Sequence, residues 1–218
     1  HAVKTHVVKF SDEVIRKGVA TELERGGQIF FVHNVIHNIG VVHDHLTRLV
    51  PEARVAVAHG QMNETQLERI MLDFIDHKYD ILLSTNIIES GLDISNVNTI
   101  FINNAHRFGL AELYQLRGRV GRGTRQAFSY LLIPKDEVLV KDSLTRLKVI
   151  EELTDLGSGF KIANYDLEIR GTGNLLGKEQ SGQLNLIGFE LYCNMLEDAV
   201  KRLRDETPEE EDWAPEIN

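Results

Sequence analysis

Along the first 133 positions, apolar residues gather into short β-rich runs, separated by longer stretches where they recur every three or four residues. Runs at 3–10, 28–33, 54–58, 80–84, 99–103 and 128–133 predict strands. Their centres (IFFV, VAVA, ILLS, IFIN and YLLI) are continuous rather than alternating, the pattern of strands covered on both faces in a parallel sheet. Helices are predicted between them. Ser11 is placed to cap one that runs to about Arg25 and closes at Gly26-Gly27. A second begins at residue 34 or 36 and reaches 50, just before Pro51. Asn63 with Gln66 resembles a capping box opening a helix through Asp76, and 111–119 is the last. Repeated strand–helix units of this kind predict a doubly wound parallel α/β sheet with right-handed crossovers. Ligands of such sheets bind at the carboxyl ends of strands, so the loops there carry the chemistry.

The texture changes after Pro134. Residues 135–153 read as a charged helix with Leu139, Leu144, Leu147 and Ile150 as its apolar stripe. A glycine-rich polar stretch follows, GSGFKIANYDLEIRGTGNLLGKEQSG, and then an amphipathic helix over 189–204. The expected division is an α/β lobe over 1–133, a helical hairpin with its loop over 134–190, and a helix with an acidic tail over 191–218.

Composition refines this picture only in part. The 218 residues are 42% hydrophobic and 26% charged, ordinary for a globular chain. No run approaches the roughly 20 apolar residues of a membrane span, and the opening HAVKTHVVKF lacks the apolar segment of a signal peptide. It reads as a strand entered in mid-chain. Cys193 is the single cysteine, so no internal disulfide forms; it is expected to be a buried thiol in a reducing compartment, the cytoplasm. A net charge of −9 argues against nucleic acid until its distribution is considered. Seven acidic residues and no basic ones fall in 205–218, leaving 26 acidic against 24 basic residues elsewhere. A body so close to neutral can present a local basic surface.

The most informative string is YQLRGRVGR at 114–122. Arginines 117, 119 and 122, with glycines 118 and 121, place several guanidinium groups at the end of a helix on a tightly turning backbone. Guanidinium forks match the oxygens of a transferring phosphoryl group, where one such finger contributes roughly 10³-fold or more in rate. The alternative is a solvated basic turn. A phosphate-cradling loop, G-x-x-x-x-G-K-[ST], is not found. At Gly177-Lys178 the next residue is Glu179, and Thr172 stands where the first glycine belongs. No DE-x-[HD] string supplies a Mg²⁺ carboxylate, and Gly171, Gly173 and Gly177 do not have dinucleotide-fingerprint spacing or position. His33, His37, His43 and His45 lack a convergent third ligand in the pattern, so no metal is expected on the protein itself.

QLRGRVGR resembles motif VI of superfamily 2 helicases; STNIIESGLDI at 84–94 resembles their motif V, HGQM at 59–62 motif IVa and GGQIFFVHN at 26–34 motif IV. The resemblance implies a RecA-like second motor lobe of an ATP-dependent translocase. It matches Arg119 and Arg122 to arginine fingers and Gln115 to the residue coupling ATP to DNA. Gly91 and Asp93 match positions near the nucleotide, and Thr85, His59 and Gly60 positions holding the DNA backbone. Further along, DLEIRGTGNLLGKEQSG at 166–182 resembles the translocation motif shared by RecG and the bacterial transcription–repair coupling factors, with Arg170 and Gln180 matching its polar residues and Arg146 a position in the hairpin. SGQLNLIGFELYCNMLEDAVKRL is most similar to the coupling factors. Implied cofactors are ATP and Mg²⁺, held mainly by a first lobe that this sequence does not contain, so the chain alone is expected not to hydrolyse ATP. Implied partners are double-stranded DNA, that first RecA-like lobe and, through other domains, RNA polymerase and excision-repair proteins, with no membrane. A RecG-like fork-remodelling lobe, or a non-motor DNA-binding or regulatory lobe, stays open as an alternative.

Overall fold

The structure is a computed structural model that describes residues 2–85, 94, 96–136, 138–153, 162 and 165. All lie in one compact unit, His1–Arg170. Six strands form one sheet: β1 (Lys4–Lys9), β2 (Gln28–Val32), β3 (Val55–Ala58), β4 (Ile81–Ser84), β5 (Val97–Asn103) and β6 (Phe128–Ile133). Every pairing is parallel and the spatial order is β1-β6-β5-β2-β4-β3. All six runs expected to be strands are strands. The inner strands β2 and β4 are buried at every position, whereas edge strand β3 alternates between buried and half-buried residues. VAVA therefore reads as continuous in sequence but is covered unequally on its two faces.

Helices α1 (Asp12–Glu24) and α2 (Ile39–Leu49) supply Ile15, Val19, Ile39 and Leu46 to one apolar cluster, with Ile29, Phe31, Ile81 and Phe101 of the sheet. Helices α3 (Glu64–Ile75), α4 (Leu110–Arg117) and α5 (Lys141–Glu152) supply Phe74, Leu113, Leu116, Leu147 and Ile150 to the other, with Phe30, Leu82, Ile100 and Ile102. Two separate cores on the two faces make the lobe doubly wound. Each fully buried Phe or Leu contributes roughly 1.5–3 kcal/mol relative to exposure.

Helix starts follow local chemistry. Asn63 caps α3 as expected, its Oδ1 accepting from the Gln66 amide at 2.8 Å. Ser11 occupies the cap position of α1 with extended backbone, but its hydroxyl makes no capping bond. The second helix starts later than the pattern suggests: a 3-10 turn, Ile36–Asn38, precedes α2, and Asn38 does not cap it. Its Oδ1 is taken by His33 Nε2 at 2.7 Å.

The largest departure is α5, expected over 135–153 and formed over Lys141–Glu152. Its buried face is Ser143, Leu147 and Ile150, with Leu144 44% exposed. Ser143 displaces Leu144 from that face because its hydroxyl donates to the His106 carbonyl at 3.1 Å, a partner that no periodicity reveals. The glycine-rich stretch, the helix expected over 189–204, the acidic tail and Cys193 lie outside the described residues.

Candidate functional site

The strand order reverses direction between β2 and β5: the chain leaves β2 toward β4 and β3, and leaves β5 toward β6 and β1. A crevice at the carboxyl ends of strands is expected at such a point. Four strand ends are knitted together there. The His33 amide, just after β2, donates to the Ser84 carbonyl at 2.8 Å, and the Thr85 amide donates to the Ala58 carbonyl at 3.3 Å. Thr85 is thereby set beside His59 and Gly60, which follow β3, so these three expected phosphate contacts are brought together. On the other side of β2, Asn103 at the end of β5 approaches the His33 ring, Nδ2 to Nδ1, at 3.0 Å.

Two polar atoms in this row, Ser84 Oγ and His59 Nδ1, are buried and have no hydrogen-bond partner among the described residues. A buried donor or acceptor left so costs about 1–3 kcal/mol unless a ligand or water meets it.

After β5 the chain passes through Asn104, whose backbone is left-handed (φ 54°, ψ 44°), and a 3-10 turn, Ala105–Arg107, into α4. Gln115 is exposed on α4, Arg119 is half-buried and Arg122 exposed in the turn that follows. Between the two arginines Val120 is 3% exposed and joins the core, pinning the turn. Gly121 has φ 83°, a conformation that disfavours any side chain. Gly118 does not share that requirement; its φ of −68° is ordinary helix.

Arg117 departs from the expected trio. It is 6% exposed and turned inward, where Nη1 donates to the Ile150 carbonyl at 2.9 Å and to the Leu153 carbonyl, both at the end of α5. It thus caps α5, placing a cation on carbonyls that a helix leaves unpaired. Burial pushes its pKa below the usual arginine value, with partial compensation from Tyr114, whose ring lies 5.1 Å from the guanidinium carbon. Arg146 anchors the same helix elsewhere: its Nη2 donates to the His106 carbonyl at 3.1 Å and to Ser143 Oγ at 3.0 Å. The bonds to the Ile150, Leu153 and His106 carbonyls are not legible in sequence because each pairs residues more than thirty positions apart. Gly91, Asp93, Arg170 and Gln180 lie outside the described residues.

The helicase conserved C-terminal domain model matches residues 9–124, more than half the chain and every element just described from the end of β1 to Arg122. The chain belongs to the helicase C-terminal domain family. Within that family it is 50% identical over 207 residues, 95% of this chain, to the transcription-repair-coupling factor of Myxococcus xanthus, and 46% identical over 216 residues to that of Bacillus subtilis. It spans 17% and 18% of those relatives, respectively. The structure of RecG bound to a three-way DNA junction is similar with a TM-score of 0.69 at 34% identity, covering 88% of this chain and 26% of that one. The fold is therefore the RecA-like α/β fold of helicase C-terminal domains. Among the described residues no helix is long and apolar enough to cross a membrane.

Proposed function

We propose that this helicase C-terminal domain is the second motor lobe of an ATP-dependent double-stranded DNA translocase of the coupling-factor type, one that displaces stalled RNA polymerase and hands the site to excision repair. The observation that carries the motor reading is the turn after α4, where Arg119 and Arg122 flank a buried Val120. Identities of 46–50% to coupling factors, against 34% to RecG, favour that branch over fork remodelling.

The residues present fit a nucleotide's phosphates. Two guanidinium-bearing side chains stand on one rigid turn, while no group of three His, Cys, Asp or Glu among the described residues could hold an ion. ATP–Mg²⁺, bound mainly by a first lobe, supplies the phosphoryl group to be transferred. Arg119 and Arg122 act by electrostatics: fixed cations meet charge that develops on phosphoryl oxygens, with little reorganisation. Gln115, on α4 just before that turn, couples that event to the DNA. Gly91 and Asp93 are the motif V positions that would meet the nucleotide.

Thr85, His59 and Gly60 grip phosphates of one DNA strand at the β3 and β4 ends, which the Thr85 amide joins by its bond to the Ala58 carbonyl. Movement leaves the lobe through α5. Arg117 holds its carboxyl end and Arg146 its buried face, so displacement of the α4 turn is passed to α5, and Arg170 and Gln180 are the motif residues that would turn it into a step along DNA.

In the full-length protein carrying this lobe, Arg119→Ala is expected to lower DNA-stimulated ATP turnover by about 10³-fold with DNA affinity retained. Unchanged turnover would remove the motor reading in favour of a binding or regulatory lobe. The 218-residue chain by itself is expected to show no hydrolysis.

A further inference from the structure

His33 is 2% exposed and uses both ring nitrogens. Nε2 is 2.7 Å from Asn38 Oδ1 and Nδ1 is 3.0 Å from Asn103 Nδ2. An amide oxygen only accepts and an amide nitrogen only donates, so the ring is the neutral tautomer with its proton on Nε2. No ring nitrogen remains for a ligand. Its backbone amide is also committed, to the carbonyl of Ser84 beside Thr85.

These three bonds meet segments with separate tasks. Asn38 is the residue from which α2 departs, at the end of the 3-10 turn that follows β2. Asn103 is the last residue of β5, immediately before left-handed Asn104 and the path into α4. Ser84 closes β4. A buried, fully bonded imidazole at the strand-order reversal is thus the joint between the DNA-facing strand ends and the strand that leads to Arg119 and Arg122.

We propose that His33 is a positioning residue that makes the β2–α2 turn and the β5–α4 segment move as one, so that DNA held at the strand ends is registered at the arginine turn. This rests on the motor reading above. His33 touches neither nucleotide nor DNA; it acts through Asn38 and Asn103.

The test uses the full-length protein and the ratio of ATP turnover with duplex DNA to turnover without it, alongside the KM for ATP and the melting temperature. His33→Phe retains ring volume and loses both side-chain bonds. The ratio is expected to fall about tenfold, with KM for ATP little changed. His33→Gln, which supplies one donor and one acceptor, is expected to restore most of the ratio. Asn103→Leu should reproduce the loss, and combining it with His33→Phe should add little. If His33→Phe does not fold, Asn38→Ala and Asn103→Leu each cut one bond and carry the same expectation. An unchanged ratio in variants of normal melting temperature would overturn the proposal, as would losses in His33→Phe and Asn103→Leu that simply multiply. A wild-type protein without DNA-stimulated turnover would instead overturn the motor reading itself, and this inference with it.

Discussion

Within QLRGRVGR, Arg117 and Arg119 are separated by one glycine and take different environments. Arg117 is sealed against α5, while Arg119 is half-buried in the turn beyond the helix. Residue type and spacing show that guanidinium groups gather here; they do not show which way each points. That direction is set by two carbonyls at Ile150 and Leu153, unpaired because α5 ends there. Both bonds come from the single nitrogen Nη1, so a lysine in place of Arg117 keeps the charge but must bring the end of a differently shaped side chain to the same spot to meet both carbonyls. Hydrogen bonds to a charged donor contribute roughly 1.5–3 kcal/mol. Arg117→Lys is therefore expected to speed amide exchange in the last turn of α5 by at least tenfold, whereas Arg119→Lys should leave it unchanged. Equal protection in both variants would mean that α5 is held by its apolar face alone.

Between elements, the start of β3 and the start of β4 are joined by an ion pair with a pH signature. Asp80, 9% exposed at its side chain, accepts from the Arg54 amide at 2.8 Å, from Nε at 2.9 Å and from Nη2 at 2.8 Å. Burial raises the carboxyl pKa, but the hydrogen bonds and charge of Arg54, with a smaller contribution from His77, outweigh it and hold the group below the usual carboxylate range. The folded pKa is depressed, so the pair's stabilisation is complete above the unfolded value of about 3.9 and is lost as pH falls through the folded one. Arg54→Met is expected to be less stable than the parent in denaturant unfolding from pH 6 to 8, with the gap closing below about pH 4. A gap independent of pH would assign the loss to packing. Elements were the level at which sequence spoke most clearly. The continuous apolar runs of β2, β4 and β5 became inner parallel strands because burial on both faces leaves an unmistakable pattern, while edge strand β1, KTHVVK, is largely exposed or half-buried. The start of α2 and the buried face of α5 differ from expectation where Asn38 bonds to His33 and Ser143 to the His106 carbonyl, partners visible only after folding.

Across the whole molecule, charge is distributed against the proposed activity. The chain carries −9 overall, and seven of its acids lie in 205–218, beyond a body with 26 acidic and 24 basic residues. Binding to duplex DNA at strand ends depends on local cations and polar groups, yet a concentrated negative segment on the same chain raises the cost of approach to a polyanion. Such repulsion acts through solvent and is screened over about 8–10 Å at ordinary ionic strength. Ending the chain after Arg204 should therefore strengthen duplex binding several-fold at low salt, with the difference shrinking as salt is raised. Fluorescence anisotropy of a labelled duplex across a salt series reads both the affinity and its slope. Equal slopes with a constant offset would instead indicate that the segment competes for a specific surface, because a direct contact, unlike a diffuse field, survives screening.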